Sequence, residues 1–252
     1  MMNILAIFAH PDDETMLCGG TLALLAGAGM AVQYVCATRG EGGETGEPAV
    51  CTREEIAQIR SQELACAVDA LGGASLQFLE YVDPLIGPND DLFAFKADAT
   101  ILAQQVVDIV AQKQVEAILT HGSNGEYGHP GHLLLHNAVV KAARKLEDEA
   151  VSLYTVQAQF DDHPKPRIAN KDDRAHLVLD ISPVLAQKTQ AALCHRTQHA
   201  LFVRRTSKRL GYPVSVPDII MKCESLHRQL PAYSGGNDRL FKILEKTGTV
   251  IG

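Results

Sequence analysis

Ala9-His10-Pro11-Asp12-Asp13-Glu14 places a histidine and three carboxylates within five residues. Helix capping accounts for part of this, because proline suits the first helical position and acids suit the first turn. It does not account for three adjacent acids beside a histidine directly after an apolar run, where their mutual repulsion costs stability. A bound cation removes that cost, so the cluster reads as a metal site. A catalytic divalent metal commonly takes three protein ligands and leaves a position for water. His10 and Asp13 supply two, and a distant histidine would complete the set. Tyr127-Gly128-His129-Pro130-Gly131-His132 offers two histidines across a Pro-Gly turn. His132 and His136 form a rival pair on one helix face, but His136 follows three leucines in the body of a helix and reads as structural. His121 is a weaker candidate.

Both clusters need a frame that brings them together. Asn3–Ala9 is a short apolar run of the kind a fully buried parallel strand shows. A helix follows over 14–26, then a strand over 30–37. Residues 38–50, rich in Gly and Glu, read as an ordered loop over a site. Thr52 with Glu55 three residues on resembles a capping box opening a long helix, whose buried face is Ile56, Ile59, Leu64, Val68 and Leu71. Strands are expected over 76–82, 115–120, 151–157 and 177–181, and helices over 97–112, 133–145 and 183–195. Residues 161–174 are polar and irregular. Strands alternating with helices predict an α/β fold, a Rossmann-like, mostly parallel sheet with helices on both faces in three layers. In such sheets ligands bind beyond the carboxyl ends of the strands, where the loops after the first, second and fourth strands converge.

The chain has 252 residues, 46% of them hydrophobic, and a net charge of -7. That length suits one domain, 1–252. The acidic balance argues against a nucleic-acid partner. No run approaches the ~20 apolar residues of a membrane span, and the N-terminus lacks the basic region of a signal peptide. The six cysteines show no zinc-finger spacing and read as reduced thiols in a cytoplasmic protein. A homo-oligomer is compatible with all of this.

The pairing of AHPDDE with a later GHPxH resembles the LmbE-like, or PIG-L, de-N-acetylase family, which includes deacetylases of the mycothiol and bacillithiol pathways, of GlcNAc-phosphatidylinositol and of chitobiose. The likeness covers most of the chain. Thr38-Arg39-Gly40-Glu41 is similar to the family's glycine-rich segment, and Arg60 with Glu63, then Leu71-Gly72, to its next helix. Tyr81-Val82-Asp83 is similar to the end of its third strand. Lys188 with His195-Arg196-Thr197-Gln198 resembles a late K…H-x-[ST]-Q signature.

The resemblance implies that His10, Asp13 and His132 hold the metal, Asp12 is the general base, and His129 is general acid or oxyanion stabiliser. Tyr127 would polarise the acyl carbonyl. Arg60 and Asp83 would contact the sugar, with Glu41 as a wall. Glu14 would hold His10 or His132 from behind. Zn2+ suits this His/His/Asp set, and Fe2+ or another divalent transition metal fits it too. The implied reaction removes the acetyl group from an N-acetylated amino sugar, a small-molecule N-acetylglucosamine conjugate. The alternatives are an amidase acting on a larger amide and a non-catalytic sugar- or metal-binding protein. A nucleotide site is disfavoured, since carboxylates at the first turn repel a pyrophosphate. One position departs from the family: Gly131 stands where an acid usually separates the two histidines, and the expectation is that Asp12 or another carboxylate supports His129 instead. The remaining residues have plainer readings. Arg60 and Glu63 would pair on their helix, His195 and Gln198 would make structural contacts, and Phe93 and Phe95 would pack.

Overall fold

The computed structural model describes residues 1–146, 151–235, 238–247, 249 and 250. Its first strand, β1 (Asn3–Phe8), shows why a near-continuous apolar run was required. Successive side chains point to opposite faces. Ile4, Ala6 and Phe8 enter one core cluster, while Leu5, Ile7 and Ala9 enter the other. With both faces covered there is no polar side to alternate with.

The elements run β1, α1 (Asp13–Gly27), β2 (Ala31–Thr38), α2 (Ile56–Ala70), β3 (Ser75–Tyr81), α3 (Ala99–Lys113), β4 (Ala117–Thr120), a short turn α4 (Gly125–Gly128), and α5 (Pro130–Lys145). They continue through β5 (Ser152–Val156), β6 (Ala158–Gln159), β7 (Asn170–Arg174), β8 (Leu177–Asp180), α6 (Leu185–Cys194), α7 (His199–Leu210), β9 (Cys223–Leu230), α8 (Arg239–Thr247) and β10 (Thr249–Val250). The main sheet has the order β10-β8-β9-β5-β4-β1-β2-β3. β3, β2, β1, β4 and β5 are parallel, and β9, β8 and β10 extend the sheet antiparallel. The expected α/β three-layer fold is therefore the observed one. The chain winds outward from β1 through β2 and β3, then returns to build β4 and β5 on the other side. The gap beyond the carboxyl ends of β1 and β4 is thus the topological switch point, the ligand crevice of such sheets.

Several local expectations needed correction. The Thr52–Glu55 contact forms, with Thr52 N–H donating to Glu55 Oε2 at 3.0 Å, but α2 starts only at Ile56. Helix α1 is broken at Cys18, whose φ is -148°. There Glu224 of β9 accepts from Gly20 N, Thr21 N and Thr21 Oγ1 at 2.6–2.8 Å and pairs with Lys188 Nζ at 2.6 Å. A buried carboxylate thus caps the restarted helix, where free N–H groups and the helix dipole favour negative charge. The reading of all six cysteines as thiols is overturned: Cys66 of α2 and Cys194 of α6 form a disulfide. Cys18, Cys36, Cys51 and Cys223 are free. Among the described residues no helix is long and apolar enough to cross a membrane.

Candidate metal centre and active site

The turn after β1 carries the first cluster into the crevice. Asp13 begins α1, and its carboxylate lies between the histidine rings, with Oδ2 3.3 Å from His10 Nδ1 and Oδ1 3.3 Å from His132 Nε2. All three residues are less than a tenth exposed. Burial opposes charge on His10, but hydrogen bonding to Asp13 and Asp83 outweighs it and lifts the ring to about 9. Burial likewise opposes charge on His132, and the charges of Asp13 and Glu126, with the hydrogen bond to Glu126, lift it to about 10. Buried carboxylates thus draw positive charge into this cluster, a demand that a divalent cation meets.

The fit is sharpest at His132. Its Nδ1 lies 2.6 Å from Glu126 Oε2, while Nε2 is buried with no hydrogen-bond partner. A metal-ligating histidine commonly has this form, with one nitrogen held by a carboxylate and the other free to ligate. Glu126 was missed by sequence reasoning, where a lone acid in a Gly-rich loop reads as solvated. It is 3% exposed, and its φ of 58° is one that a non-glycine residue adopts only under constraint. The same Oε2 lies 3.0 Å from His121 Nδ1, and Oε1 accepts from Gly122 N at 3.0 Å and Asn170 Nδ2 at 3.2 Å. Asn170 Oδ1 in turn accepts from the Glu126 and Asn124 backbone at 3.0 and 3.1 Å. The polar segment 161–174, without a role in the sequence, therefore contains a residue, Asn170, that anchors the partner of His132.

His121 is fully buried beside this group. The Ala9 backbone N–H can only donate, and it points at His121 Nε2 at 3.0 Å. That nitrogen is an acceptor, so the proton sits on Nδ1 toward Glu126. With its Nε2 lone pair already engaged, His121 joins the end of β1 to the end of β4. His136 Nδ1 lies 2.9 Å from the His121 carbonyl, in the structural role expected of it.

Asp12 occupies the turn at φ 116°, again a strained backbone for a side chain. Burial pushes its carboxyl up to about 7; Arg60 opposes the rise and Asp13 adds to it. Arg60 was expected to contact the sugar and to pair with Glu63. Instead it is 3% exposed, and its guanidinium donates to Gly40 O at 3.0 Å, Pro11 O at 2.5 Å and Asp12 Oδ2 at 3.2 Å. It therefore positions Asp12 and the glycine loop from beneath. Glu63 accepts from Thr197 N and Oγ1. Glu14 holds neither His10 nor His132. It accepts from the Asp12 backbone N–H at 3.0 Å and lies 3.2 Å from His195 Nε2, so the late signature reaches the turn of Asp12 through Glu14. Gln198 donates to Glu44 O, fastening the 38–50 loop.

The second cluster lines the opposite wall. His129 is the N-cap of α5, and its Nδ1 accepts from Gly131 N at 3.1 Å. The ring proton of neutral His129 is therefore on Nε2. An acid at 131 could instead have stabilised a protonated ring, and among the described residues no carboxylate is hydrogen-bonded to His129 in its place. Burial, with the charges of His10 and His132, lowers His129 to about 3, and Asp13 and Asp83 compensate only in part. A Cβ at Gly131 would sit 3.3 Å from His10 Nε2 and from His129 Nδ1, so the glycine lets the two rings close to 4.7 Å. Tyr127 stands edge-on, its ring 5.8 Å from that of His129 and 5.7 Å from that of His132. Desolvation, with the charges of Asp13, Asp12 and Glu126, raises its hydroxyl and keeps it a donor.

Asp83, also expected at the sugar, lies with Oδ1 3.2 Å from His10 Nε2 and accepts from Gly42 N through Oδ2. Glu41 accepts from the Asp83 and Arg39 backbones at 3.0 and 3.2 Å, bracing Asp83 rather than standing free as a wall. His10, Asp12, Asp13, Tyr127, His129 and His132 thus share one site, while Arg60, Glu41 and Glu14 support it from outside.

The protein is thus of the α/β class, a mostly parallel sheet with a His/Asp cluster at its switch point that could hold a metal. The profile of the PIG-L family, GlcNAc-PI de-N-acetylase, matches residues 5–143, more than half of the chain, and the protein belongs to that family. It is 36% identical over 161 residues to a 1D-myo-inositol 2-acetamido-2-deoxy-alpha-D-glucopyranoside deacetylase 1 of Catenulispora acidiphila, covering 59% of this chain and 50% of the relative. It is 30% identical over 210 residues to the "Probable N-acetyl-alpha-D-glucosaminyl L-malate deacetylase 2" of Bacillus cereus, covering 82% and 89%. The chain spans about half the length of several curated relatives that it matches. Among solved structures it resembles the 4-carboxy-2-hydroxymuconate hydratase of Pseudomonas putida, with a TM-score of 0.63, 22% identity, and 93% and 99% coverage. It also resembles the N,N'-diacetylchitobiose deacetylase of Pyrococcus horikoshii, with a TM-score of 0.62, 19% identity, and 90% and 83% coverage.

Proposed function

We propose that this protein hydrolyses the acetamide of an N-acetylglucosamine conjugate, using a divalent metal held by His10, Asp13 and His132, with zinc as the first choice. The observation that carries this reading is the buried, unpartnered His132 Nε2 facing Asp13 one residue from Asp12. When bound, the cation supplies a Lewis acid that activates water and polarises the amide carbonyl.

The residues then divide the remaining work. Asp12, lifted toward neutrality by burial, takes a proton from the attacking water as its oxygen bonds to the acetyl carbon. The neutral His129 donates through Nε2–H, and with the Tyr127 hydroxyl it stabilises the tetrahedral oxyanion; one such donor is typically worth ~3–4 kcal/mol. Asp12 returns the proton to the sugar nitrogen as the C–N bond breaks, giving acetate and the free amine. The Gly131 N–H bond to Nδ1 makes His129 an oxyanion donor rather than the general acid, because a ring lowered to about 3 carries no spare proton near neutrality. A purely binding role leaves the largely buried, strained Asp12 without a purpose.

The hydratase of similar fold is a reminder that the scaffold does not dictate the reaction. Protein stripped of metal and refilled with zinc should release acetate from N-acetylglucosamine conjugates, and the stripped protein should not. Stoichiometric metal binding without acetate release would transfer the reading to the larger-amide or binding alternatives.

We also propose a single domain over 1–252 and a cytoplasmic home, in which the Cys66–Cys194 disulfide would be unusual. Fractionation of the source cells tests the compartment: recovery of the protein outside the cytoplasm would overturn that reading.

A further inference from the structure

The loop joining β3 to α3, residues 82–98, enters the site at Asp83, beside His10. Along it Val82, Leu85, Ile86 and Phe93 are 66%, 62%, 47% and 50% exposed. Phe95, two residues on, is buried at 2% and anchors the loop, whereas Phe93 packs only within the loop and stays half exposed. The ring of Phe93 lies over Gly87, where a Cβ would come within 2.8 Å of it. Across the site Tyr127 adds a ring that is 49% exposed. Large apolar side chains scattered singly on a surface need no explanation, but several on one loop that starts inside a reaction site mark a binding surface.

The charges around this loop narrow what it accepts. Asp83, Asp90, Asp91 and Asp98 lie on it, against a single exposed cation, Lys96. The neighbouring arginines are engaged. Arg39 pairs with Glu80, Arg53 donates to the Glu41 and Gly43 carbonyls, and Arg204 pairs with Glu44. An anionic group beyond the sugar would meet carboxylates with little to pair with, whereas a neutral apolar group would cover surface now facing water.

We propose that the 82–93 loop is the aglycone subsite and that the substrate carries a neutral alkyl or aryl aglycone beyond its amino sugar. This rests on the deacetylase reading above. Continuity with the site decides for an aglycone over a second copy of the chain, because the patch grows out of the residue that touches His10.

The test uses zinc-loaded protein and the methyl, hexyl, phenyl and carboxymethyl glycosides of N-acetylglucosamine, with acetate release as the readout. KM for the hexyl and phenyl glycosides should be about 10-fold or more below that for the methyl glycoside, since each buried methylene is worth severalfold in affinity. kcat should change little, because contacts remote from the amide bind ground and transition states alike. The carboxymethyl glycoside should have the highest KM. In the triple variant Leu85→Ser, Ile86→Ser, Phe93→Ser, checked for an unchanged melting transition, the hexyl advantage should vanish. If the triple variant does not keep its fold, Leu85→Ser alone should raise KM for the hexyl glycoside and not for the methyl one. Equal KM values for all glycosides, or a preference for carboxymethyl, would overturn the proposal. So would a triple variant that falls from oligomer to monomer in sedimentation with its KM values unmoved, since the patch would then be a self-interface. No turnover of any glycoside would instead sink the deacetylase reading, and this inference with it.

Discussion

Asp12→Asn should lower kcat for acetate release roughly 100- to 10,000-fold, the usual contribution of a positioned general base, while bound zinc stays stoichiometric. The asparagine keeps the shape of the carboxylate and tolerates the left-handed backbone better than most residues. It removes the proton acceptor and the charge facing Arg60, which keeps its bonds to Pro11 O and Gly40 O. The split between activity and metal content is the informative measurement. Metal lost together with activity would mean that Asp12 shapes the ligand turn rather than moving a proton. A variant retaining more than about a tenth of the wild-type rate would remove Asp12 from the chemistry, given the size of effect expected. Asp12→Gly offers a complementary check. It relieves a φ of 116°, so it should raise thermal stability while abolishing turnover, the usual relation between a strained site residue and the fold that constrains it.

Glu126→Gln should weaken zinc affinity about 10- to 100-fold, the typical effect of removing the carboxylate behind a ligating histidine. Chelator competition reads this directly, without any assay of turnover. The amide keeps the volume but loses the charge, and its NH2 must face donors on one side, either the two histidine rings or Gly122 N and Asn170 Nδ2. Glu126→Ala should be worse for the fold itself. It strands His121 Nδ1, His132 Nδ1 and Gly122 N in a dry interior, and each unsatisfied buried polar group costs about 1–3 kcal/mol. Asn170→Ala should reproduce part of the loss in metal affinity, because Asn170 touches Glu126 and no candidate ligand. Unchanged zinc affinity in Glu126→Gln would show that the carboxylate stabilises the loop without tuning the metal.

Much of the frame was legible because parallel strands announce themselves. Four apolar runs and the mixed edge strand β3, separated by helical periodicity, define the parallel part of the sheet, and the chemistry-bearing loops fall at strand ends. The missed elements share a reason. β9 is the sequence CESLHRQL, and it buries Glu224, Ser225 and Arg228 as well as Leu226. Two of its buried residues are charged, Glu224 pairing with Lys188 and Arg228 with Asp238, so it has no apolar period to detect. β7, NKDDR, is polar throughout and is placed by Asn170 and by Asp173, which accepts from Thr155 Oγ1 and Ser123 N. The Cys66–Cys194 bond joins residues 128 apart, a separation that leaves no local signature.

At the site the division is similar. Local composition marked His10, Asp12, Asp13, His129 and His132, because acids and histidines packed after buried strands need an ion to be stable. Which ring nitrogen is free, and which carboxylate props which ring, was decided only by tertiary structure. A neutral histidine carries one N–H and one lone pair, the partner that takes the proton decides which nitrogen is free, and those partners are remote. Glu14 turned from the metal ligands to His195, 181 residues away. Arg60 turned from the sugar to the backbone of Pro11, 49 residues away. His121 took the amide of Ala9, 112 residues away, and Asn170 took Glu126, 44 residues away. The residue types pointed to a cation in this crevice, and the fold determined which of their atoms face it.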